Sequence, residues 1–193
     1  MIRDWLQPVL FILALMGLMA CTPPAHAGLE YYRVDDNAVL HYQKAQRWQA
    51  NGQPRYAIGE YQSAIRLKPS AEMTAVVYNN MAYCFALIQY WDQAIASAQE
   101  AISLQPNNLQ FYKMLVKVYH MADRSAMAAN DMVDQLTANA SDDEGWFLLG
   151  MLYEDLAYKD YAVEAYQNVV LLAPNSYLSQ VARKRLETLN RPG

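Results

Sequence analysis

From Val39 to Leu189 the apolar positions recur three and four residues apart, in stretches of about a dozen residues separated by short polar breaks. That period is the one-sided pattern of amphipathic helices, and no stretch alternates in the two-residue period of a strand. The breaks carry turn chemistry: Asn51, Gly52, Gln53 and Pro54 interrupt the first apolar stretch, and prolines at Pro69, Pro106 and Pro174 each close a later one. The pattern predicts an all-α chain of paired helices.

The pairs repeat. Sliding the segment from Asp143 to Ser176 back by 34, 34 and then 37 residues brings four copies into register, 38–74, 75–108, 109–142 and 143–176. The last copy reads Trp146, Leu149, Gly150, Tyr153, then Ala162, Tyr166 and Pro174. This spacing resembles the tetratricopeptide repeat, W-x2-L-G-x2-Y, A-x3-F, P. The same slots hold His41, Lys44, Ala45, Trp48, Ala57, Tyr61 and Pro69 in the first copy, and Tyr78, Met81, Ala82, Phe85, Ala94, Ala98 and Pro106 in the second. In the third they hold Tyr112, Leu115, Val116, Tyr119, Ala128, Met132 and Ala140, so both the small residue and the closing proline are lost.

The resemblance implies a right-handed α-solenoid of four helical hairpins, followed by a capping helix within 177–193 with Leu178, Val181, Ala182, Leu186 and Leu189 on its inner side. Small residues at Ala45, Ala57, Ala82, Ala94, Gly150 and Ala162 let paired helices approach closely. Aromatics at Trp48, Tyr61, Phe85, Tyr119, Tyr153 and Tyr166 are expected to fill the space between hairpins, and Asp92 and Asp160 to cap second helices. The three extra residues behind the 37-residue spacing are expected in the loop between Pro69 and Ala75. Met114, Met121, Met127 and Met132 gather in the third repeat, and Gln135 replaces the Ala64, Ala101 and Val169 of the others. The third hairpin is therefore expected to pack most loosely and to repack around a partner.

The first 37 residues depart from this pattern. Val9–Ala20 is an apolar run of twelve residues followed by Cys21, Thr22 and two prolines. A membrane-spanning helix needs roughly 20 apolar residues, whereas this length suits the core of a signal peptide. Leu18, Met19, Ala20, Cys21 resembles the lipobox of bacterial lipoproteins, which implies a signal at 1–20, lipidation of Cys21 and a tether over 21–37 reaching at most roughly 55 Å. Ala25, His26, Ala27 offers a second cleavage site that would release a soluble protein starting at Gly28, and the weakly charged start, Arg3 offset by Asp4, leaves an uncleaved anchor open. Cys84, the other cysteine, falls inside a helical stretch and reads as core. The chain is thus expected in the cell envelope, held on the periplasmic face through acylated Cys21, or else soluble in the periplasm or medium.

Composition narrows function by exclusion. The formal charge of −4, from 15 Lys and Arg against 19 Asp and Glu, provides no basic field for nucleic acid. No phosphate loop, nucleophile elbow, zinc-protease pair or metal-spaced cysteine cluster occurs, and His26, His41 and His120 are scattered. Neither a cofactor, a metal, a small-molecule substrate nor an enzymatic activity is expected. Asp142, Asp143 and Glu144 read as a helix-start cluster, and Asn139, Ala140, Ser141 matches a glycosylation pattern that has no meaning in a bacterial export route.

In the resembled family the first helix of each hairpin lines a concave groove that holds a protein or peptide. Carrying those slots over gives Tyr42, Gln46 and Gln49 from the first repeat, Asn79, Asn80, Tyr83 and Leu87 from the second, Lys113, Lys117 and His120 from the third, and Phe147, Met151, Glu154 and Asp155 from the fourth. Lys113 and Lys117, four apart, share a helix face suited to a carboxylate or phosphate. Chaperone-tail clamps of the family use Lys, Asn and Arg; Asn80 fits that set, but Tyr42, Gln46, Gln110 and Met114 do not. The reading is a non-enzymatic scaffold or adaptor supporting an envelope assembly, or a soluble exported peptide-binding module.

Overall fold

The computed structural model describes residues 37–191, and the signal, tether and lipidation expectations, Cys21 included, lie outside them. Nine helices and no strand occur among the described residues: α1 (Ala38–Ala50), α2 (Pro54–Arg66), α3 (Ala71–Leu87), α4 (Trp91–Leu104), α5 (Leu109–Met121), α6 (Ser125–Ala138), α7 (Asp143–Asp155), α8 (Lys159–Leu172) and α9 (Tyr177–Leu189). The first eight form four successive hairpins, and α9 packs on α8. The fold is an all-α solenoid of helical hairpins. None of these helices is long and apolar enough to cross a membrane.

Two kinds of junction punctuate the stack. Inside each hairpin, one residue takes a left-handed conformation at the same repeat position, namely Gly52, Gln89, Asp123 and Ala157. The amide of the next residue then donates to a carbonyl five residues back: Gln53 to Trp48, Tyr90 to Phe85, Arg124 to Tyr119 and Tyr158 to Tyr153, at 2.8–3.0 Å. This is the Schellman ending of a helix, which satisfies carbonyls the helix itself leaves open. Between hairpins a side chain starts the next helix instead. Ser70, Asn108, Asp142 and Ser176 accept from the amides of Met73, Gln110, Gly145 and Ser179.

These junctions correct two expectations. Asp92 and Asp160 do not cap α4 and α8, because Tyr90 and Tyr158 occupy the cap positions without a side-chain bond. The two carboxylates stand in the first turns, and Asp92 accepts from Arg124 Nη1 at 2.6 Å. The residues added between Pro69 and Ala75 do not form a loop. Ser70 caps α3 immediately, so they extend that helix to 17 residues where α1 has 13.

The core follows the small slots. Ala45, Ala57, Ala82, Ala94 and Ala162 are fully buried, as are the rings of Tyr61 and Tyr166. At Gly150 a Cβ would stand 2.7 Å from Tyr166 Cε1, so glycine is what admits that ring. Trp48 departs from its expected role: it is solvent-exposed and leans on Tyr56 with ring centroids 5.2 Å apart.

The third hairpin closes differently from its neighbours. In α2, α4 and α8 the residues Ala64, Ala101 and Val169 face inward, but in α6 the equivalent Gln135 is exposed and Leu136 is buried in its place. With Met132 where Tyr61 and Tyr166 stand, α6 packs little on its own partner α5 and leans instead on α7. Leu136 accordingly lies against Gly145, its Cδ2 3.1 Å from where a Cβ would be.

A groove across the first helices

The first helices of the four successive hairpins are bridged by polar side chains at each step. Asn80 Nδ2 of α3 donates to the Tyr42 hydroxyl of α1 at 3.3 Å, and Gln46 Nε2 donates to the same hydroxyl at 2.9 Å. Lys117 Nζ of α5 lies 4.4 Å from the ring centroid of Tyr83 on α3, a cation–π distance. His120 Nδ1 of α5 stands 3.0 Å from Asp155 Oδ1 of α7. Three consecutive interfaces are thus bridged on one face.

That face deepens between α5 and α7 into a cleft of 280 Å³ lined by Lys113, Val116, Lys117, His120, Met151 and Asp155. Positions 113, 116, 117 and 120 project from one side of α5 because they are three and four apart. Val116 and Met151, each 8% exposed, form the apolar floor. Asp155 is committed already, since the Ser125 hydroxyl donates to its Oδ2 at 2.7 Å and His120 meets it from the other side. Lys113 and Lys117 are exposed, and neither forms an ion pair with a described residue. A floor of hydrocarbon with two unneutralised ammonium groups above it suits an extended segment bearing a carboxylate.

Four of the expected groove residues, Phe147, Gln49, Glu154 and Asn79, turn inward instead. Phe147 is fully buried, edge-on to Tyr112 with centroids 5.3 Å apart and tilted against Tyr166 at 5.7 Å. Gln49 and Glu154 are internal braces at one repeat position: Gln49 Oε1 accepts from the Tyr61 hydroxyl at 2.9 Å, and Glu154 Oε1 from the Tyr166 hydroxyl at 2.5 Å. Burial and, for Tyr166, the Glu154 carboxylate push both phenols above their ordinary range, so they stay donors. Gln49 also accepts from Cys84 Sγ at 3.4 Å. Burial raises that thiol to about 12, which leaves it an inert core group. Asn79 points inward, with its Oδ1 buried and without a partner, and Leu87 is exposed at the end of α3.

Two contributors escaped the sequence pattern. Val116 sits in the repeat's small slot, where the repeat pattern places a packing residue, yet it floors the cleft. Ser125 opens α6 at a position the repeat pattern does not mark, yet it holds Asp155. A larger recess of 510 Å³ is lined by uncharged side chains from Leu104 to Gln110 together with Tyr177, and it carries none of these polar bridges.

A stack of helical hairpins with a groove along its first helices is a helical-repeat interaction scaffold in architecture. Residues 143–176 match the family model of the tetratricopeptide repeat, so the chain carries at least that one repeat of the family. It is 25% identical over 125 residues, 62% of its length, to Sperm-associated antigen 1 of Rattus norvegicus, and it spans 14% of that protein. Among solved structures it is similar to YrrB, described as a TPR protein with an unusual peptide-binding site, at 18% identity and TM-score 0.46, over 84% of each chain. It is similar also to MamA 41-end from Desulfovibrio magneticus RS-1, at 21% identity and TM-score 0.45, over 79% of this chain and 88% of that one. A tetratricopeptide repeat protein from Parabacteroides merdae ATCC 43184 matches at 18% identity and TM-score 0.47, over 79% and 59%. Tetratricopeptide-repeat proteins are generally non-enzymatic interaction modules, and the fold suggests a protein–protein interaction scaffold.

Proposed function

We propose that this chain is a non-enzymatic adaptor whose groove grips an extended, carboxylate-bearing segment of a partner protein, and that it acts in a bacterial envelope, tethered through acylated Cys21. The observation that carries the groove reading is the pair of unneutralised lysines, Lys113 and Lys117, over the Val116–Met151 floor. Tyr83 holds Lys117 in place from the neighbouring hairpin, so one ammonium group is positioned before a ligand arrives. The exported, tethered part of the reading is supported by the apolar run ending at Cys21.

A fluorescein-labelled acidic octapeptide with a free C-terminus, titrated into the full-length protein, tests the groove. Binding that weakens about tenfold in Lys113→Ala/Lys117→Ala, and also weakens between 50 mM and 300 mM salt as exposed charge pairs do, is the expected result. Equal affinity for wild type and double variant would remove the groove reading. The tether is tested by comparing the intact mass and membrane fractionation of wild type and Cys21→Ser. An acylated wild type supports the adaptor, and identical unacylated products starting at Gly28 would replace it with a soluble exported module.

A further inference from the structure

A second cleft opens where α6 leans away from α5. It has a volume of 300 Å³ and is lined by Gln99, Ile102 and Ser103 of α4, Tyr112 and Leu115 of α5, Met132 of α6, and Asp142, Glu144, Gly145 and Leu148 at the start of α7. It is separate from the groove, with which it shares no lining residue.

The Tyr112 side chain is 1% exposed, and its hydroxyl is buried with no hydrogen-bond partner. A buried, unmet hydroxyl is uncommon because desolvation without a compensating bond is unfavourable. At two of the three equivalent positions the polar end is met: His41 Nδ1 lies 2.6 Å from Glu60 Oε2, and Trp146 Nε1 donates to the Ala140 carbonyl at 2.9 Å. At Tyr112 the displaced α6 brings no such group.

Charge at the same cleft is unbalanced too. Asp142, Asp143 and Glu144 adjoin in sequence, and none forms an ion pair with a described Lys, Arg or His. Asp142 Oδ1 accepts the Gly145 amide at 2.9 Å as a helix cap, which leaves the Glu144 carboxylate and the second Asp142 oxygen without a bond. Tyr112 lines the cleft together with Asp142 and Glu144, and burial first, then the Glu144, Asp143 and Asp142 carboxylates, oppose its ionisation. Glu144 itself is raised above the ordinary carboxyl range by partial desolvation and by Asp142 and Asp143. The cleft therefore combines an unused hydroxyl, excess negative charge and an apolar wall of Ile102, Leu115, Met132 and Leu148.

We infer that this cleft binds a guanidinium or ammonium group carried on a short apolar stem. The cation N–H donates to the Tyr112 hydroxyl oxygen and to the Glu144 carboxylate, while the stem lies against Met132 and Leu148. Such a group reaches the protein either as a free alkyl cation or as an arginine or lysine side chain of a bound polypeptide, and the chemistry of recognition is the same.

Titration of the full-length protein, followed by the amide resonances of Gly145 and Leu148, separates these sources. The probes are butylguanidinium, the tripeptide acetyl-Gly-Arg-Gly-amide, and butan-1-ol as an uncharged stem. Saturable binding of either cation, with a dissociation constant of a few millimolar or tighter and no saturable binding of butanol, is expected. Tyr112→Phe should weaken it about tenfold and Glu144→Gln about fivefold, whereas Lys113→Ala in the groove should leave it unchanged. Saturation by butylguanidinium alone assigns the site to a small molecule, and saturation by the tripeptide assigns it to a partner's side chain. The inference is overturned if neither cation saturates the shifts below ~50 mM, if butanol binds equally, or if Tyr112→Phe and Glu144→Gln, both folded by circular dichroism, bind like wild type.

Discussion

The third and fourth hairpins have the same length and the same turn, with Asp123 and Ala157 in matching left-handed conformations, yet they close in different ways. In the fourth, Gly150 makes room for the Tyr166 ring, the Tyr166 hydroxyl is anchored on Glu154, and α7 lies along α8. In the third, the three positions hold Val116, Met132 and His120. The ring, its gap and its anchor are all absent, and α6 tips toward the next hairpin. Those same replacements build both proposed sites: Val116 floors the groove, His120 turns outward to Asp155, and the space beside Met132 becomes the acidic cleft. One hairpin is given to packing, and the other to surface that a partner can use.

Variants at matched positions test how far this contrast reaches. Tyr166→Ala should lower unfolding free energy by about 3–5 kcal/mol, the range for losing a buried ring, whereas Met132→Ala should cost under ~2 kcal/mol because its side chain is only partly buried. Urea denaturation measures both, and equal losses would break the comparison. Gly150→Ala should cost about 1–3 kcal/mol, since the added methyl meets the Tyr166 ring rather than a flexible chain end; the same denaturation series reads it.

The smallest effect lies at the acidic start of α7. The Glu144 carboxyl is raised from 4.5 in the folded state, so the native chain binds its proton more tightly than the unfolded one. Its charge therefore lowers stability increasingly as pH rises from 4.5 through the folded value, and the penalty is fully present at neutral pH. Glu144→Gln should raise stability at pH 7 by less than ~1 kcal/mol, given solvent screening of so exposed a group, and should change nothing below about pH 4. Thermal unfolding of both proteins across that range shows whether the gain fades with acid.

Helix pairing was legible because it is written in local periodicity and in a repeat with fixed small slots. Ala45, Ala57, Ala82, Ala94, Gly150 and Ala162 carry their role in their size. The tilt of α6 was only half legible: Gln135 and the lost proline signalled loose packing, but the one-residue shift that buries Leu136 is a tertiary response of the whole hairpin. Groove membership failed where one helix face serves two purposes. Gln49 and Glu154 look like exposed polar residues until the tyrosine twelve positions later reaches them. Phe147 likewise occupies a groove slot in the repeat register, but Tyr112 and Tyr166 enclose it. Left-handed turns without glycine at Gln89, Asp123 and Ala157 gave no signal either, because only Gly52 carries the residue type that marks them.

Native-state amide hydrogen exchange, resolved by helix on the full-length protein, tests the central contrast most directly. The account predicts that amides in the middle of α6 exchange at least tenfold faster than their repeat equivalents in α8, and that the acidic octapeptide slows exchange in α5 and α6 first. Equal protection of α6 and α8, with no change on adding peptide, would contradict it.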